Sequence, residues 1–376
     1  MSDVVVAGGG LIGLSIAWRC AQRGLRVTVV DEDAGTGASF AAAGMLAPVT
    51  EASYGEESLL RLCLASLQRY PAFVAELEEA SGRAVGYRTA GTLAVGFDED
   101  DMRSLEALRT FQRELGLEVE RLTPREARRR EPSLTPRLRG ALQVTGDHSV
   151  DARAMHAALL AAALAAGVRL VRARVTAVRR DADRAAGLRL DGGEELTAGT
   201  VVLALGAHSG RLPGAPQLPI RPVKGQILRL GGAEGLLTGT VRALVRGRPV
   251  YLVPYAGDRL ILGATVEDRG FDPRVTAGGV HDLLRDAIEV VPGITELELQ
   301  ESIARWRPGT PDNAPVLGSS GLPGLLLATG HYRNGVLLTP VTAEVIAEQL
   351  VTGRLPELAA RFTIDRFQRR TTCRSA

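Results

Sequence analysis

A short apolar run, Val4 to Ala7, stops at three consecutive glycines, and this junction constrains the fold more than any other feature of the chain. Gly8-Gly9-Gly10-Leu11-Ile12-Gly13 has the G-x-G-x-x-G spacing of a dinucleotide-binding turn. In such a turn Gly8 permits the reversal, Gly10 lets backbone approach a pyrophosphate, and Gly13 lets the following helix pack closely. The helix N-terminus at Leu11 and Ile12 then presents N–H groups to the phosphates. The spacing alone is a weak signal. Here it lies between a strand and a helix (Leu11 to Arg23), and a second apolar run, Val27 to Val30, ends at Asp31-Glu32, where a carboxylate would accept ribose hydroxyls. An acid at that place argues against a 2′-phosphate, hence against NADP, and leaves FAD and NAD open.

At 376 residues the chain exceeds what one core supports, so two packed domains are expected. Residues 55 to 150 change character: a helix containing Pro71, a strand-like Tyr87 to Phe97, and an amphipathic helix from Asp100 to Leu115. Asp151 caps an alanine-rich helix that Gly167 ends, and strands follow from Arg169 to Ala204 around an Asp191-Gly192-Gly193 turn. The last of these runs, Thr200 to Leu205, stops at Gly206. Strands predominate again from Pro222 to Trp306, interrupted by a helix at Gly279 to Val290. Leu325 to Thr329 reads as a buried strand, Gly330 as a break, and Pro340 to Leu350 as a helix with Thr339 as N-cap. The expected fold is α/β (α+β): a Rossmann-like nucleotide-binding domain in three pieces (1–50, 150–215 and 305–365), with a mostly antiparallel second domain from the insertions 51–149 and 216–304 and a tail at 366–376.

A net charge of +2 supplies no field for nucleic acid, and Arg128 to Arg130 read as the solvated face of a short helix behind a Thr123-Pro124-Arg125-Glu126 cap. Cys20, Cys63 and Cys373 are odd in number and widely spaced, without a metal-binding or redox pair, so no metal is expected and a reducing cytoplasm is the simplest compartment. No signal peptide or membrane span is legible; the longest uncharged stretch, Ala157 to Val168, is too short to span.

Two segments move the choice of nucleotide towards a flavin. Ala38-Ser39-Phe40-Ala41-Ala42-Ala43-Gly44-Met45 is small enough for backbone to pass beside a flat ring. Gly330-His331-Tyr332-Arg333-Asn334-Gly335 sits between a strand and a helix start, where a helix N-terminus favours negative charge on a reduced isoalloxazine.

These stretches, together with Pro222-Val223-Lys224-Gly225-Gln226, Tyr251-Leu252-Val253-Pro254 and Arg305-Trp306-Arg307-Pro308-Gly309-Thr310, resemble the D-amino-acid-oxidase superfamily, and within it the glycine oxidases of thiamine biosynthesis. The resemblance runs in order over nearly the whole chain. It implies non-covalent FAD, held by Gly8, Gly10, Leu11, Ile12, Gly13, Asp31, Glu32, Ala38, Ser39, Ala43, Gly44, Met45, Val175, Gly206, His331, Tyr332, Arg333, Asn334, Gly335, Val336 and Leu337. It further implies that Arg333 clamps the substrate carboxylate with two parallel charge-assisted bonds, that Tyr251 donates to the same carboxylate, and that Arg307 and Met45 line the substrate site.

The activity implied is oxidation of glycine by hydride transfer to flavin N5, with dioxygen as acceptor and no protein acid or base. The imine hydrolyses to glyoxylate and ammonia or feeds a partner, thiazole synthase. A homotetramer is implied in the same way. His331 reads as scaffolding. Val266 and Pro249 depart from the methionine and histidine of the family enzymes and leave sarcosine, N-ethylglycine, D-alanine and D-proline as competing substrates. Sarcosine oxidase, a quinone-linked D-amino-acid dehydrogenase and a non-catalytic flavin-binding partner protein are the alternatives. Lys224, the only lysine among 45 basic residues, is singled out as a candidate near the flavin or oxygen, against survival by chance.

Overall fold

The computed structural model describes residues 2–368, so Cys373 and most of the expected tail lie outside the described residues. Two eight-stranded sheets dominate it. In the first, strands Leu325–Thr329, Glu195–Leu203, Ser2–Ala7, Val27–Val30 and Arg169–Val171 lie side by side and parallel. The Val175–Asp181 and Arg184–Leu190 hairpin extends from it, and Val316–Ser319 closes one edge antiparallel.

Strand periodicity explains why this sheet is covered on both faces. Val4 and Val6 enter one core with the helices Leu11–Gln22, Glu57–Ser81, Ala152–Ala165 and Thr339–Thr352. Val5 and Ala7 enter another with Val178, Leu188 and Leu327. Asp151 caps the Ala152–Ala165 helix by accepting from the N–H groups of Arg153 and Ala154, as its position in the sequence predicts.

The second sheet runs in the order Glu298–Gly309, Arg221–Gly231, Leu260–Gly263, Arg248–Pro254, Thr240–Val245, Thr92–Gly96, Gly140–Val144, Glu120–Leu122. Its pairings are antiparallel except for Thr240–Val245 beside Thr92–Gly96. Helix Ala277–Val290 buries Leu283, Ala287 and Val290 against it. The twelve-residue strand Glu298–Gly309 carries this sheet towards the first, and Arg305 Nε donates to the carbonyl of Thr36 2.6 Å away.

Several local expectations change. The strand expected over Tyr87 to Phe97 is confined to Thr92–Gly96, because Arg88 pairs instead with Ser149 in an isolated bridge. Thr339 is not the cap: Leu338 precedes the helix, and the Thr339 hydroxyl donates back to the carbonyl of Gly335 at 2.9 Å. The run ending at Gly206 leaves the sheet at Leu203, and Gly206, at φ +54, begins a 3-10 turn instead. Arg366, placed in the tail, is docked through Asp312 at 2.7 Å. The Thr123–Glu126 capping box forms as expected, and Arg130 behind it pairs with Glu120. Pro71 sits within helix Glu57–Ser81 without ending it.

Candidate functional site

A cavity of about 1190 Å³ opens between the two sheets, at the ends of the parallel strands where Ala7, Val30, Leu203 and Thr329 finish. It exceeds the roughly 300–1,000 Å³ of ordinary small-ligand pockets. Crevices at the carboxyl ends of parallel strands are where open α/β sheets take their ligands.

At the nucleotide end, Gly8, Gly10, Leu11 and Ile12 line the wall. Gly8 adopts φ +109, and a Cβ there would strike the carbonyl of Ala204. Gly13 does not line the cavity: a Cβ on it would overlap the carbonyl oxygen of Gly8, so its role is the close packing that sets the turn. Gly10 precedes the helix without any side-chain cap, and the Leu11 N–H reaches only Ser39 Oγ, at 3.2 Å. Asp31 lines the cavity but already accepts from Gly9 N–H at 2.6 Å and Asp33 N–H at 2.9 Å. Its first task is therefore to hold the glycine turn, and the neighbouring exposed Glu32 offers its carboxylate to the same cavity. His156, which the sequence did not single out, bonds the Gly9 carbonyl at 2.8 Å. Ala38, Ser39, Val175 and Gly206 complete this end.

Further in, Ala43, Gly44 and Met45 face the loop 331–337. Gly44 has φ +68, and a Cβ would drive into the carbonyl of Val150. His331, Tyr332, Arg333, Gly335 and Val336 line the cavity, whereas Asn334 and Leu337 lie behind it. The Asn334 N–H donates to His331 O at 2.9 Å, and the Leu337 carbonyl accepts from Ser66 Oγ at 2.6 Å. Tyr70, fully buried, donates to the carbonyl of Val336. His331 is buried and bonds Thr342 Oγ1 at 3.0 Å; burial holds its pKa down to about 3, so it stays neutral and acts as scaffold. This cradle of glycine turn, helix N-terminus and small residues fits an FAD: a side chain at Gly8 or Gly44 would collide with the backbone that shapes it.

At the far end stand Tyr251, Arg307 and Arg333. Burial raises the Tyr251 pKa against the opposing charge of Arg307, keeping the phenol a donor. Arg307 Nη1 donates to the Thr265 carbonyl at 3.2 Å, and Arg333 reaches only the Tyr332 hydroxyl, at 3.4 Å. Among the described residues neither guanidinium has an ion-pair partner. Arg242 also lines the cavity, beside Met45 Sδ at 3.9 Å, but is neutralised by Glu51 at 2.6 Å. Sequence reasoning missed this pair, although an arginine inside the apolar strand Thr240–Val245 was a signal for it. Pro249 and Val266 both line the cavity, the latter 57% exposed at its rim.

Residues 3–349 match the DAO family, FAD dependent oxidoreductases. The chain belongs to this family. Its cofactor is accordingly FAD. A glycine oxidase of Geobacillus kaustophilus is 38% identical over 353 residues, 92% of each chain. A glycine oxidase structure from the same organism superposes with a TM-score of 0.90, covering 96% of this chain and 98% of the other. The bifunctional protein ThiO/ThiG of Trichormus variabilis is 34% identical over 371 residues; the match takes in 98% of this chain but 56% of that protein, so the chain spans about half the length of such relatives. A hydrogen cyanide synthase subunit, HcnC, of Pseudomonas aeruginosa is 30% identical over 406 residues, covering 97% and 96%. Among the described residues no helix is long and apolar enough to cross a membrane, and no group of His, Cys, Asp and Glu could hold a metal ion.

Proposed function

We propose that the chain is an amino-acid oxidase that takes glycine and other small amines bearing a carboxylate, such as sarcosine. The observation that carries this reading is the pair of guanidiniums, Arg307 and Arg333, without carboxylate partners among the described residues, in the same cavity as the nucleotide cradle and beside the buried phenol of Tyr251. Two cations and a hydroxyl donor at one end of a cavity are the complement of a substrate carboxylate. FAD, when bound, supplies acceptance of a hydride equivalent and passage of the electrons to dioxygen.

What the chain itself does is bind and orient. Arg333 and Arg307 take the carboxylate, Tyr251 fixes its register, and Met45 packs beside the substrate; with the carboxylate fixed, the α-carbon has one approach to the ring. His331, held neutral, neither gives nor takes a proton at working pH. The amine must arrive unprotonated, from solvent exchange. Residues 1–50, 150–215 and 305–365 form the cofactor-binding part in this reading, and the insertions between them the substrate-binding part. The imine product supplies thiazole synthase in thiamine formation, a link supported by the relatives named as bifunctional ThiO/ThiG proteins.

The test is anaerobic mixing of the yellow protein with glycine, sarcosine and D-proline, followed by oxygen. Bleaching by glycine with peroxide on aeration is expected. Bleaching without peroxide would make it a dehydrogenase, and no bleaching would remove Arg307, Arg333 and Tyr251 from the substrate site. Cyanide among the products would move the chain to the reading suggested by its hydrogen cyanide synthase relatives.

A further inference from the structure

Lys224 is the only lysine of the chain, and it is fully buried on strand Arg221–Gly231. It does not line the cavity. Its Nζ lies 3.4 Å from Glu267 and 3.6 Å from Asp272 and makes no hydrogen bond of its own among the described residues. A buried ammonium in that condition costs stability unless the charges beside it are held in place.

Those charges belong to the segment between strand Leu260–Gly263 and helix Ala277–Val290, whose outer residues, Val266, Asp268, Arg269 and Phe271, are exposed. Phe271 stacks on His208, 4.6 Å between ring centroids, and meets Trp306 edge-on at 5.4 Å. Around Lys224 the attachment is polar: Lys224 and Glu267 exchange both backbone hydrogen bonds, at 3.0 and 2.9 Å, and the Glu267 carboxylate accepts from Thr265 Oγ1 at 2.6 Å and Gln226 Nε2 at 2.7 Å. Between them lies the carbonyl of Thr265, which accepts from Arg307 Nη1. The Arg307 guanidinium in turn rests over Gly225, where a Cβ would come within 2.6 Å of its Cζ.

We propose that Lys224 is a positioning residue for Arg307: its charge holds Glu267, and with it the Thr265 carbonyl that fixes the guanidinium over Gly225. The inference rests on reading Arg307 as a ligand of the substrate carboxylate. Lys224 touches neither substrate nor cofactor, so its removal should loosen carboxylate binding while leaving the chemistry of bound substrate intact.

The test uses the FAD-loaded enzyme with Lys224→Met and Glu267→Gln, singly and together. Anaerobic reduction by glycine gives the apparent Kd and the limiting reduction rate, and calorimetric titration with glycolate reports carboxylate binding without turnover. Each single variant should raise both Kd values about 10-fold, the size of one displaced charge-assisted contact, with the limiting rate within about 2-fold. The double variant should be no worse than either single one.

Unchanged Kd values would overturn the proposal, as would an equal fall in affinity, rate and flavin content, which marks a general loss of structure. If Lys224→Met does not fold, Glu267→Gln carries the test alone, since the glutamine oxygen can still accept from Thr265 and Gln226. Arg307→Met is the separate control: if it leaves glycolate binding unchanged, the reading of Arg307 itself fails.

Discussion

The ring of Tyr251 occupies the space that a side chain on Gly263 would need. The two residues face each other across neighbouring strands, and a Cβ on Gly263 would lie within 2.5 Å of the tyrosine Cζ. Gly263→Ala should therefore push the phenol out of register without touching Arg307 or Arg333. A displacement of about 1 Å in a positioning group costs on the order of 100-fold in rate. Steady-state kinetics should show kcat/KM for glycine falling by that order with FAD content unchanged; wild-type kinetics would mean that Tyr251 does not meet the substrate.

Arg333 stacks near the Tyr332 ring, 5.1 Å from its centroid, and has no carboxylate partner of its own among the described residues. Lysine in its place keeps the charge but loses the planar pair of donors. Arg333→Lys should lower kcat/KM for glycine by roughly 10- to 100-fold, the equivalent of one charge-assisted hydrogen bond at about 1.5–3 kcal/mol. A change of less than about twofold would place the carboxylate elsewhere.

The glycine turn makes a prediction about cofactor retention. Gly13→Ala sets a methyl against the Gly8 carbonyl, so the helix must back away from the phosphates. The purified variant should carry little FAD by its visible absorbance while wild type is saturated. The two described cysteines, Cys20 and Cys63, are buried, and burial raises the Cys20 thiol to about 12. Acid precipitation of the wild type should accordingly leave the yellow colour in the supernatant.

Asp147 gives a pH signature. Its carboxylate is fully buried, accepting from the Val49 and Thr50 N–H groups and the Thr50 hydroxyl, and burial raises its pKa from 3.8 to about 6. Between those values the folded chain keeps a proton that the unfolded chain has lost, so this group's contribution to stability falls as pH rises. The loss amounts to about 3 kcal/mol and is complete above about pH 6. The stability of wild type minus that of Asp147→Asn, from urea unfolding, should shrink by that order between pH 4 and pH 7; a constant difference would refute the assignment.

What was legible in the sequence was what is local. Gly8 to Gly13 announce themselves because the strand, turn and helix they join are contiguous, and Arg307 and Arg333 because each stands in a short run that resembles the family's, although Arg307 taken alone reads as structural. The Arg242–Glu51 pair joins residues 191 apart in the chain, and nothing near either one predicts the other. Thr339 had the right chemistry for a cap but lost to a helix that begins one residue early. Asp31 is the intermediate case: its place on the strand end was evident, but its commitment to Gly9 and Asp33 depends on how the turn folds over it. Lys224 stood out by composition alone, and its surroundings exist only because residues 264–272 double back onto its strand.

The walls of the cavity begin at Gly8 and are not complete until Val336. A nascent chain emerging from the ribosome therefore makes its nucleotide turn more than 300 residues before the closing loop, His331 to Val336, against which a ring can be held. Loading of FAD on this account waits for that loop, and a chain truncated before His331 would be colourless however well its first strand and helix had folded.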